Sequence, residues 1–179
     1  RDKFDYKPGQ FAFLSAFGVG ESPFGLSSVA YKKDGIDFAI RRVGSVTFAL
    51  HNLEPGASVG VRGPFGNYFP LENYRGKNIV IIGGGIGMAP LRPVINTVID
   101  HRSDYGSLLV INGARSPQDL VFANEFEAWA AAPDTRLVLT VDRGDDKWKG
   151  RVALVPDVVK DLAPSAKNAV TIICGPPIM

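Results

Sequence analysis

Short apolar or alternating stretches, separated by turn signals, occupy the first 75 residues of the chain. Alternation of apolar and polar residues over about four to eight positions is typical of a half-buried strand. The pattern predicts strands over residues 11–17, 27–33, 36–43 and 57–63. Asp34–Gly35, between the second and third of these stretches, predicts a tight hairpin turn.

One stretch of this region, residues 45–53, has helical spacing instead, with Val46, Leu50 and Leu53 on one face. We therefore predict a short helix among the strands. Many short strands at close spacing predict a small antiparallel β-barrel.

From residue 77 the period changes. Stretches that are apolar on both faces alternate with amphipathic stretches, which is the pattern of a parallel sheet covered by helices. The predicted strands cover residues 78–83, 107–113, 136–142 and 169–175, and the predicted helices cover residues 89–101, 117–131 and 155–163. The predicted fold class has two domains: an antiparallel β-barrel over residues 1–76, then an α/β doubly wound parallel sheet over residues 77–179.

Composition excludes several classes of function. The chain is 45% apolar and 21% charged, as globular proteins are, and its net charge of +2 is too small to indicate binding to nucleic acid or to an anionic membrane surface. No apolar run reaches the roughly 20 residues that span a bilayer, and no signal peptide is visible. We expect no membrane insertion and a cytoplasmic location.

Few residues of this chain could hold a metal ion. Cys174 is the one cysteine, so neither an intrachain disulfide nor a multi-cysteine metal site can form. The two histidines, His51 and His101, lie far apart in the sequence. We therefore expect no metal site within this chain.

Both ends of the sequence resemble truncation points. The chain begins at "RDKFDYKPGQ" without an initiator methionine and stops at "CGPPIM", directly after a predicted strand. The expectation is a fragment of a longer protein, whose barrel lacks its first strand.

The stretch "GGGIGMAP", residues 83–90, lies between a predicted strand and a predicted helix. Backbone amides at a helix N-terminus attract anions, and glycines let a phosphate approach the main chain closely. The spacing matches neither the G-x-G-x-x-G fingerprint nor a P-loop. Two interpretations stay open: a phosphate-binding turn, or a purely structural turn from strand to helix.

Cys174 and Gly175 follow the last predicted strand. They would emerge at the carboxyl edge of the sheet, which is where open parallel sheets bind ligands. A lone buried cysteine usually serves as a small hydrophobe. At this edge a role in a binding site is an equally open interpretation.

Seven motifs, in this order, carry a resemblance over nearly the whole chain: "KPGQF", "GSVT", "RGPFGNYF", "GGGIGMAP", "NGARSPQDLVF", "VDRGDDKW" and "CGPPIM". They resemble the ferredoxin–NADP reductase superfamily. Within it, the likeness is closest to the flavin/nicotinamide subunits of hydrogenases and anaerobic sulfite reductases, and to the electron-transfer subunit of dihydroorotate dehydrogenase.

The resemblance implies FAD against the barrel and NADH or NADPH on the parallel-sheet domain. It implies that the nucleotide's phosphates face the glycine turn, which consists of Gly83, Gly84, Gly85, Ile86, Gly87 and Met88. It also implies that Cys174, Gly175 and Pro176 lie beside the nicotinamide ring, with Cys174 as the catalytic-site residue.

Two segments correspond to the family's flavin site. The motif "GSVT" implies that Gly44, Ser45, Val46 and Thr47 meet the flavin pyrophosphate; an ordinary helix cap by Ser45 or Thr47 is the alternative.

The family's Arg-x-Tyr-Ser/Thr motif falls on "SPFG", so the arginine, the tyrosine and the hydroxyl residue are replaced by Ser22, Phe24 and Gly25. Phe24 could still pack on the flavin ring, the Gly25 amide could replace the missing hydroxyl, and Leu26 and Ser27 would complete the segment. The alternative is a plain barrel turn.

Asp142, at the end of the third parallel strand, favours NADH over NADPH, because a carboxylate accepts hydrogen bonds from ribose hydroxyls and repels a 2′-phosphate. Arg143, and Arg115 after Ala114, could instead attract that phosphate. Asp142 could equally be a solvated turn residue.

The function implied by the resemblance is that of an FAD-containing NAD(P)H oxidoreductase, an electron-transfer subunit whose partners are iron–sulfur subunits of hydrogenase or sulfite-reductase type. A [2Fe–2S] cluster would belong to a segment or partner not present in this chain. Two alternatives stay open: a nucleotide-binding regulatory or structural subunit without electron transfer, and a free-standing reductase of a soluble acceptor.

Overall fold

The computed structural model describes residues 4–32, 35–177 and 179. Its first sheet is antiparallel and consists of β1 (Phe11–Ala16), β2 (Gly20–Gly25) and β3 (Gly60–Phe65), in the order β2-β1-β3. β1 buries Ala12, Leu14 and Ala16 on one face, as its alternating pattern predicts. The predicted short helix is confirmed as α1 (Ser45–His51).

The predicted strands over residues 27–33 and 36–43 are wrong as regular strands. Leu26, just before the first stretch, forms an isolated bridge with Phe38 of the second. The predicted Asp34–Gly35 turn lies outside the described residues because Asp34 is not among them. The reason is local: the Ser27 hydroxyl accepts from the Ala39 amide and the Ser28 hydroxyl accepts from the Asp37 amide. These side chains take the place of the carbonyl acceptors that a continuous ladder would use.

β2 was not predicted, because its sequence "GESPFG" has no apolar alternation and contains a proline. It lies at the edge of its sheet, where a residue without an amide hydrogen is tolerated.

The second sheet is parallel and has five strands in the order β7-β6-β5-β4-β8. Its strands are β4 (Asn78–Gly84), β5 (Leu108–Ala114), β6 (Thr135–Val141), β7 (Arg151–Val152) and β8 (Ala169–Cys174). Four of them confirm the predicted strands; the two-residue β7 carries no pattern and was missed. An antiparallel sheet followed by a parallel one confirms the predicted fold class.

Helices cover both faces of the parallel sheet. α2 (Met88–Asp100) and α3 (Phe126–Ala131) lie on the face of Ile79 and Ile81, and α4 (Val155–Leu162) lies on the face of Val80 and Ile82. This arrangement explains why residues 79–82 of β4 are apolar on both faces of the sheet. Among the described residues no helix is both long and apolar enough to cross a membrane.

The predicted helix over residues 117–131 is wrong in its first half. Two 3₁₀ turns, Pro117–Asp119 and Ala123–Glu125, precede α3. Phe122 lies between them with φ 62°, a left-handed conformation that ends a right-handed helix. Its side chain still packs against the same core cluster as Trp129.

Leu91 lies at the centre of this packing, with 0% of its side chain exposed. We expect Leu91→Ala to lower the free energy of unfolding by about 2–5 kcal/mol, because it opens a cavity between α2 and the sheet. Leu53→Ala is the matched control: Leu53 is 40% exposed, and its truncation should cost less than about 0.5 kcal/mol. Equal losses in denaturant unfolding of the two variants would contradict this assignment of the core.

Candidate functional site

The glycine turn and Cys174 meet at the carboxyl edge of the parallel sheet. β4 and β8 are neighbours, and their register pairs Gly83 with Cys174. On the other side of β4, Gly84 pairs with Gly113 of β5. The structure therefore brings the two predicted parts of the nicotinamide site together at the edge where open parallel sheets bind ligands.

Two glycines of the turn are required by close packing. A Cβ on Gly87 would lie 2.5 Å from the Cys174 carbonyl oxygen and 2.8 Å from the Gly175 Cα. A Cβ on Gly84 would lie 3.0 Å from the Pro176 side chain. The turn thus rests directly on the segment that follows β8, which explains part of the glycine run in structural terms.

Gly85 is different, because it faces open space. It has φ +53°, and a Cβ built on it would meet nothing within 4 Å. The turn continues as a 3₁₀ segment, Gly85–Gly87, into α2, whose first residues carry no side-chain cap. Uncapped amides at the start of a 13-residue helix, beside an open glycine, form a cradle that fits a phosphate group.

The side chains around the cradle differ in exposure. Ile86 is 38% exposed, whereas Met88 is fully buried among the residues between α2 and the sheet. Gly175 and Pro176 are exposed. Cys174 is half-buried, and this burial raises the pKa of its thiol. The thiol therefore stays neutral near pH 7, which suits packing against a ligand better than nucleophilic chemistry.

Asp142, Arg143 and Arg115 lie at the same edge, beyond β5 and β6. The Asp142 amide donates to the Ala114 carbonyl at 2.9 Å, and the Arg143 amide donates to the Arg115 carbonyl at 3.0 Å. These bonds extend the pairing of the two strands by two residues. All three charged side chains are exposed.

The predicted flavin segment meets α2 from the other side. Gly25 ends β2, and a Cβ on it would lie 3.3 Å from the Pro90 side chain in the first turn of α2. Phe24, next to it, is half-buried. The first turn of α2 therefore touches the end of β2 and also follows directly from the glycine turn.

Leu26 and Ser27 face the protein interior. Each is fully buried, and their amides donate to the carbonyls of Gln10 and Asp37 at 3.0 and 2.9 Å. The Ser27 hydroxyl donates to the Gly25 carbonyl at 3.3 Å. Their contact with a cofactor stays a prediction, and the structure gives them a role in holding the segment together.

At the start of α1, Thr47 caps the helix. Its hydroxyl accepts from the amides of Val43 and Gly44 at 2.9 and 2.8 Å and donates to the Gly44 carbonyl at 2.9 Å. Gly44 and Ser45 are exposed, and Val46 is half-buried beside Gly20. The helix-cap interpretation therefore holds for Thr47, while the contact of this segment with a pyrophosphate stays a prediction.

The contact of Pro90 with Gly25 and the role of Arg92 were missed by the sequence analysis. Arg92 donates to the Ser27 carbonyl and to Asp37, both at 2.8 Å, so it ties α2 to the first sheet's loop. A helical arginine carries no sequence signal that separates this role from that of a solvated surface residue. Within the described part of the chain, no group of three or more His, Cys, Asp or Glu side chains could hold a metal ion.

Comparison with known proteins agrees with this geometry. Residues 81–179 match the family model described as the oxidoreductase NAD-binding domain. The chain is 39% identical, over 181 aligned residues, to the sulfhydrogenase 1 gamma subunit of Pyrococcus furiosus, covering 99% of this chain and 62% of that protein. It is 38% identical over 178 residues to a probable dihydroorotate dehydrogenase B electron transfer subunit of Methanocaldococcus jannaschii, covering 98% of this chain and 61% of that protein.

A solved structure with the same fold is the ferredoxin NADP⁺ reductase from Neisseria gonorrhoeae with bound FAD and NADP. Its TM-score is 0.80 at 19% sequence identity, over 99% of this chain and 77% of that one. The chain thus spans less than two thirds of the two relatives named above. With its glycine turn, carboxyl edge and matching residues 81–179, the chain belongs to the oxidoreductase NAD-binding domain family and has a ferredoxin–NADP reductase-like fold.

Proposed function

We propose that the full-length protein is a flavin-dependent NAD(P)H oxidoreductase subunit that passes electrons between a nicotinamide nucleotide, FAD and an iron–sulfur partner. One observation carries the proposal. The first turn of α2 follows directly from the glycine turn and its Pro90 touches the end of β2 at Gly25, so the start of one helix connects the two predicted cofactor segments.

The relatives support the partner class. One is named as a gamma subunit of a sulfhydrogenase and another as an electron transfer subunit of dihydroorotate dehydrogenase, so both are parts of larger enzymes. We infer subunits of hydrogenase or sulfite-reductase type as partners, and a [2Fe–2S] cluster in a segment or partner outside these residues. We also infer a cytoplasmic location, since a single cysteine leaves the chain without a disulfide of its own.

On the nicotinamide side, the amides of Gly85, Ile86 and Gly87 would bind the nucleotide's phosphates in the open cradle. Asp142 would accept hydrogen bonds from a ribose, and Cys174 would pack beside the nicotinamide ring as a neutral thiol. Hydride transfer is the chemistry that the nicotinamide and the flavin supply when bound. The chain's own residues orient the two groups and exclude water.

On the flavin side, Phe24 and Gly25 would contact the ring, and the exposed residues Gly44 and Ser45 at the start of α1 would meet the pyrophosphate. The division into a flavin domain over residues 1–76 and a nicotinamide domain over residues 77–179 is part of the proposal. It is supported by the position of the sheets, since the antiparallel strands end at Phe65 and the parallel strands begin at Asn78.

A second function has specific support. The family's arginine is replaced by Ser22, and the Thr47 hydroxyl is engaged within α1, so two groups that could hold the flavin pyrophosphate are lost. A nucleotide-binding regulatory subunit without electron transfer would need neither. The same experiment separates it from the first proposal.

The test is a visible spectrum of the purified full-length protein, recorded before and after anaerobic addition of NADH and, separately, NADPH. Flavin bands that bleach with either nucleotide support the reductase. A protein that takes up no flavin after incubation with FAD would contradict it and favour the regulatory subunit.

Gly85→Ala tests the cradle. Gly76→Ala is a matched control, because Gly76 also has positive φ (+73°) and open space around it but precedes β4 at the opposite edge of the sheet. Both variants should lose about 1–2 kcal/mol of stability from left-handed strain. Gly85→Ala alone should weaken NADH binding, by roughly tenfold, because its methyl group would occupy phosphate space. Equal NADH affinity of the two variants in titration calorimetry would rule out the cradle.

Asp142→Ser tests the choice of nucleotide. The variant loses the hydrogen bonds of the carboxylate to the ribose and its repulsion of a 2′-phosphate. The kcat/KM for NADH divided by that for NADPH should therefore fall by at least about tenfold. Asp146→Ser, on the same exposed loop, is the control and should leave the ratio unchanged. A ratio that Asp142→Ser does not move would remove Asp142 from the site.

The raised pKa of Cys174 predicts how the stability of the protein depends on pH. Burial raises the pKa of the Cys174 thiol above the ordinary 9.0, so above that pH the folded protein keeps a proton that the unfolded chain loses. The contribution of Cys174 to the free energy of unfolding is therefore present below about pH 9 and falls as the pH rises above it. Alkylation by iodoacetamide, followed by mass spectrometry, should be slower than in the unfolded chain at pH 8, and slower still with bound NAD⁺. Rapid alkylation that NAD⁺ does not slow would place Cys174 away from the nicotinamide.

A further inference from the structure

The guanidinium of Arg92 joins three segments of the chain. Its Nε donates to Glu125 Oε1 at 2.6 Å, in the turn before α3. Its Nη1 donates to the Ser27 carbonyl and to Asp37 Oδ2, each at 2.8 Å, in the loop that follows β2. We call this group of four residues the Arg92 junction. It connects the helix that follows the glycine turn with the segment that follows β2, whose end carries the residues predicted to meet the flavin.

On the parallel-sheet side, hydrogen bonds connect the junction to the buried Trp129. Asn96, one turn along α2 from Arg92, donates to Glu125 Oε2 at 3.4 Å. The Trp129 indole in turn donates to Asn96 Oδ1 at 3.0 Å, and Trp129 is 2% exposed in the core cluster. Arg92 also lies over the Phe122 ring, 5.0 Å from its centroid. The guanidinium therefore has one orientation, set by the core behind it.

On the first-sheet side, the junction holds the strand end that bears Gly25. Ser27 and Asp37 are already joined by a 2.9 Å backbone hydrogen bond, and Arg92 binds one group of each. The Ser27 hydroxyl donates to the Gly25 carbonyl, so the next contact along the chain is the one between Gly25 and Pro90. Arg92 thus acts on the end of β2 two residues beyond Pro90.

Burial and charge favour the ion pairs of the Arg92 junction. The side chains of Arg92 and Glu125 are each 18% exposed, and Asp37 is 58% exposed. Burial alone would lower the pKa of Arg92, but the hydrogen bond with Asp37 and the charge of Glu125 outweigh it and raise the pKa, so the cation persists. A planar guanidinium donates in several fixed directions at once, which a lysine ammonium on a flexible stem does not reproduce.

We propose that Arg92 is a positioning residue for hydride transfer: through Ser27 and Asp37 it holds the end of β2 against α2 and so sets the separation of flavin and nicotinamide. This inference rests on the proposed function. Reactions of this kind need the reacting atoms at about 3–3.5 Å, and a misplacement of about 1 Å can lower the rate about a hundredfold. Arg92 itself need not contact either cofactor.

Two variants separate this role from plain stability. Asp37→Ala breaks the contact with the first sheet and leaves the Arg92–Glu125 pair intact. Arg92→Lys keeps the positive charge but loses the planar guanidinium that donates to Ser27, Asp37 and Glu125 at once. Asp104→Ala is the control, since it removes an exposed ion pair with Arg75 away from the junction. All are made in the full-length protein and folded material is confirmed by thermal unfolding.

The decisive readout is the rate of flavin reduction at saturating NADH, measured by anaerobic stopped flow. We expect both junction variants to lower it by about tenfold or more, with the Kd values for FAD and NADH within about twofold of wild type, because alignment and not binding is lost. The long-wavelength absorbance band of stacked flavin and nicotinamide should weaken in parallel. Asp104→Ala should behave as wild type.

Hydrogen exchange of the protein without cofactors gives a second readout. The backbone amides of residues 24–30 and 35–39 should exchange faster than in wild type in both junction variants. Their exchange rates should be unchanged in Asp104→Ala. Wild-type reduction rates in Asp37→Ala and Arg92→Lys would overturn the inference, and so would equal losses of FAD binding and of rate. A wild-type protein that NADH does not reduce would instead overturn the proposed function, and the two failures are therefore distinguishable.

Discussion

Close approach of two chain segments at glycine residues, one on each side of the start of α2, is the constraint on which the site depends. On one side the backbone at Gly87 lies against the Cys174 carbonyl, and on the other Gly25 lies against Pro90. A Cβ at Gly87 would overlap the Cys174 carbonyl, whereas a Cβ at Gly25 would make a tight contact of 3.3 Å with the Pro90 side chain. The two segments proposed to hold the cofactors can approach each other because both approach the same helix at glycine.

Charged side chains add to this packing. Arg92 of α2 holds the two halves together through Glu125 on one side and Asp37 on the other, and the side chains of Arg92 and Glu125 are mostly buried. The charged residues at the carboxyl edge, Asp142 and Arg143, are instead exposed and free to meet a ligand. The molecule thus separates charges that hold its own segments from charges exposed at the carboxyl edge, where we propose that a nucleotide binds.

The parallel-sheet half could be predicted from sequence because each main strand is apolar on both faces and each ends in a clear turn signal. The loop after β2 could not, because hydroxyl groups of Ser27 and Ser28 replace ladder contacts, and alternation does not report such bonds. The start of α3 was missed because Phe122 takes a left-handed conformation that a helical pattern does not reveal. For the site, glycines and Cys174 are visible in the sequence, whereas the role of Arg92 depends on partners up to 65 residues away.

The most direct test of the central claim is a crystal structure of the full-length protein with FAD and NAD⁺ bound. The account predicts a flavin ring at Phe24 and Gly25, nucleotide phosphates at the amides of Gly85 to Gly87, and a nicotinamide ring beside Cys174. A nucleotide bound away from this edge, or a protein that holds no flavin at saturating FAD, would contradict it.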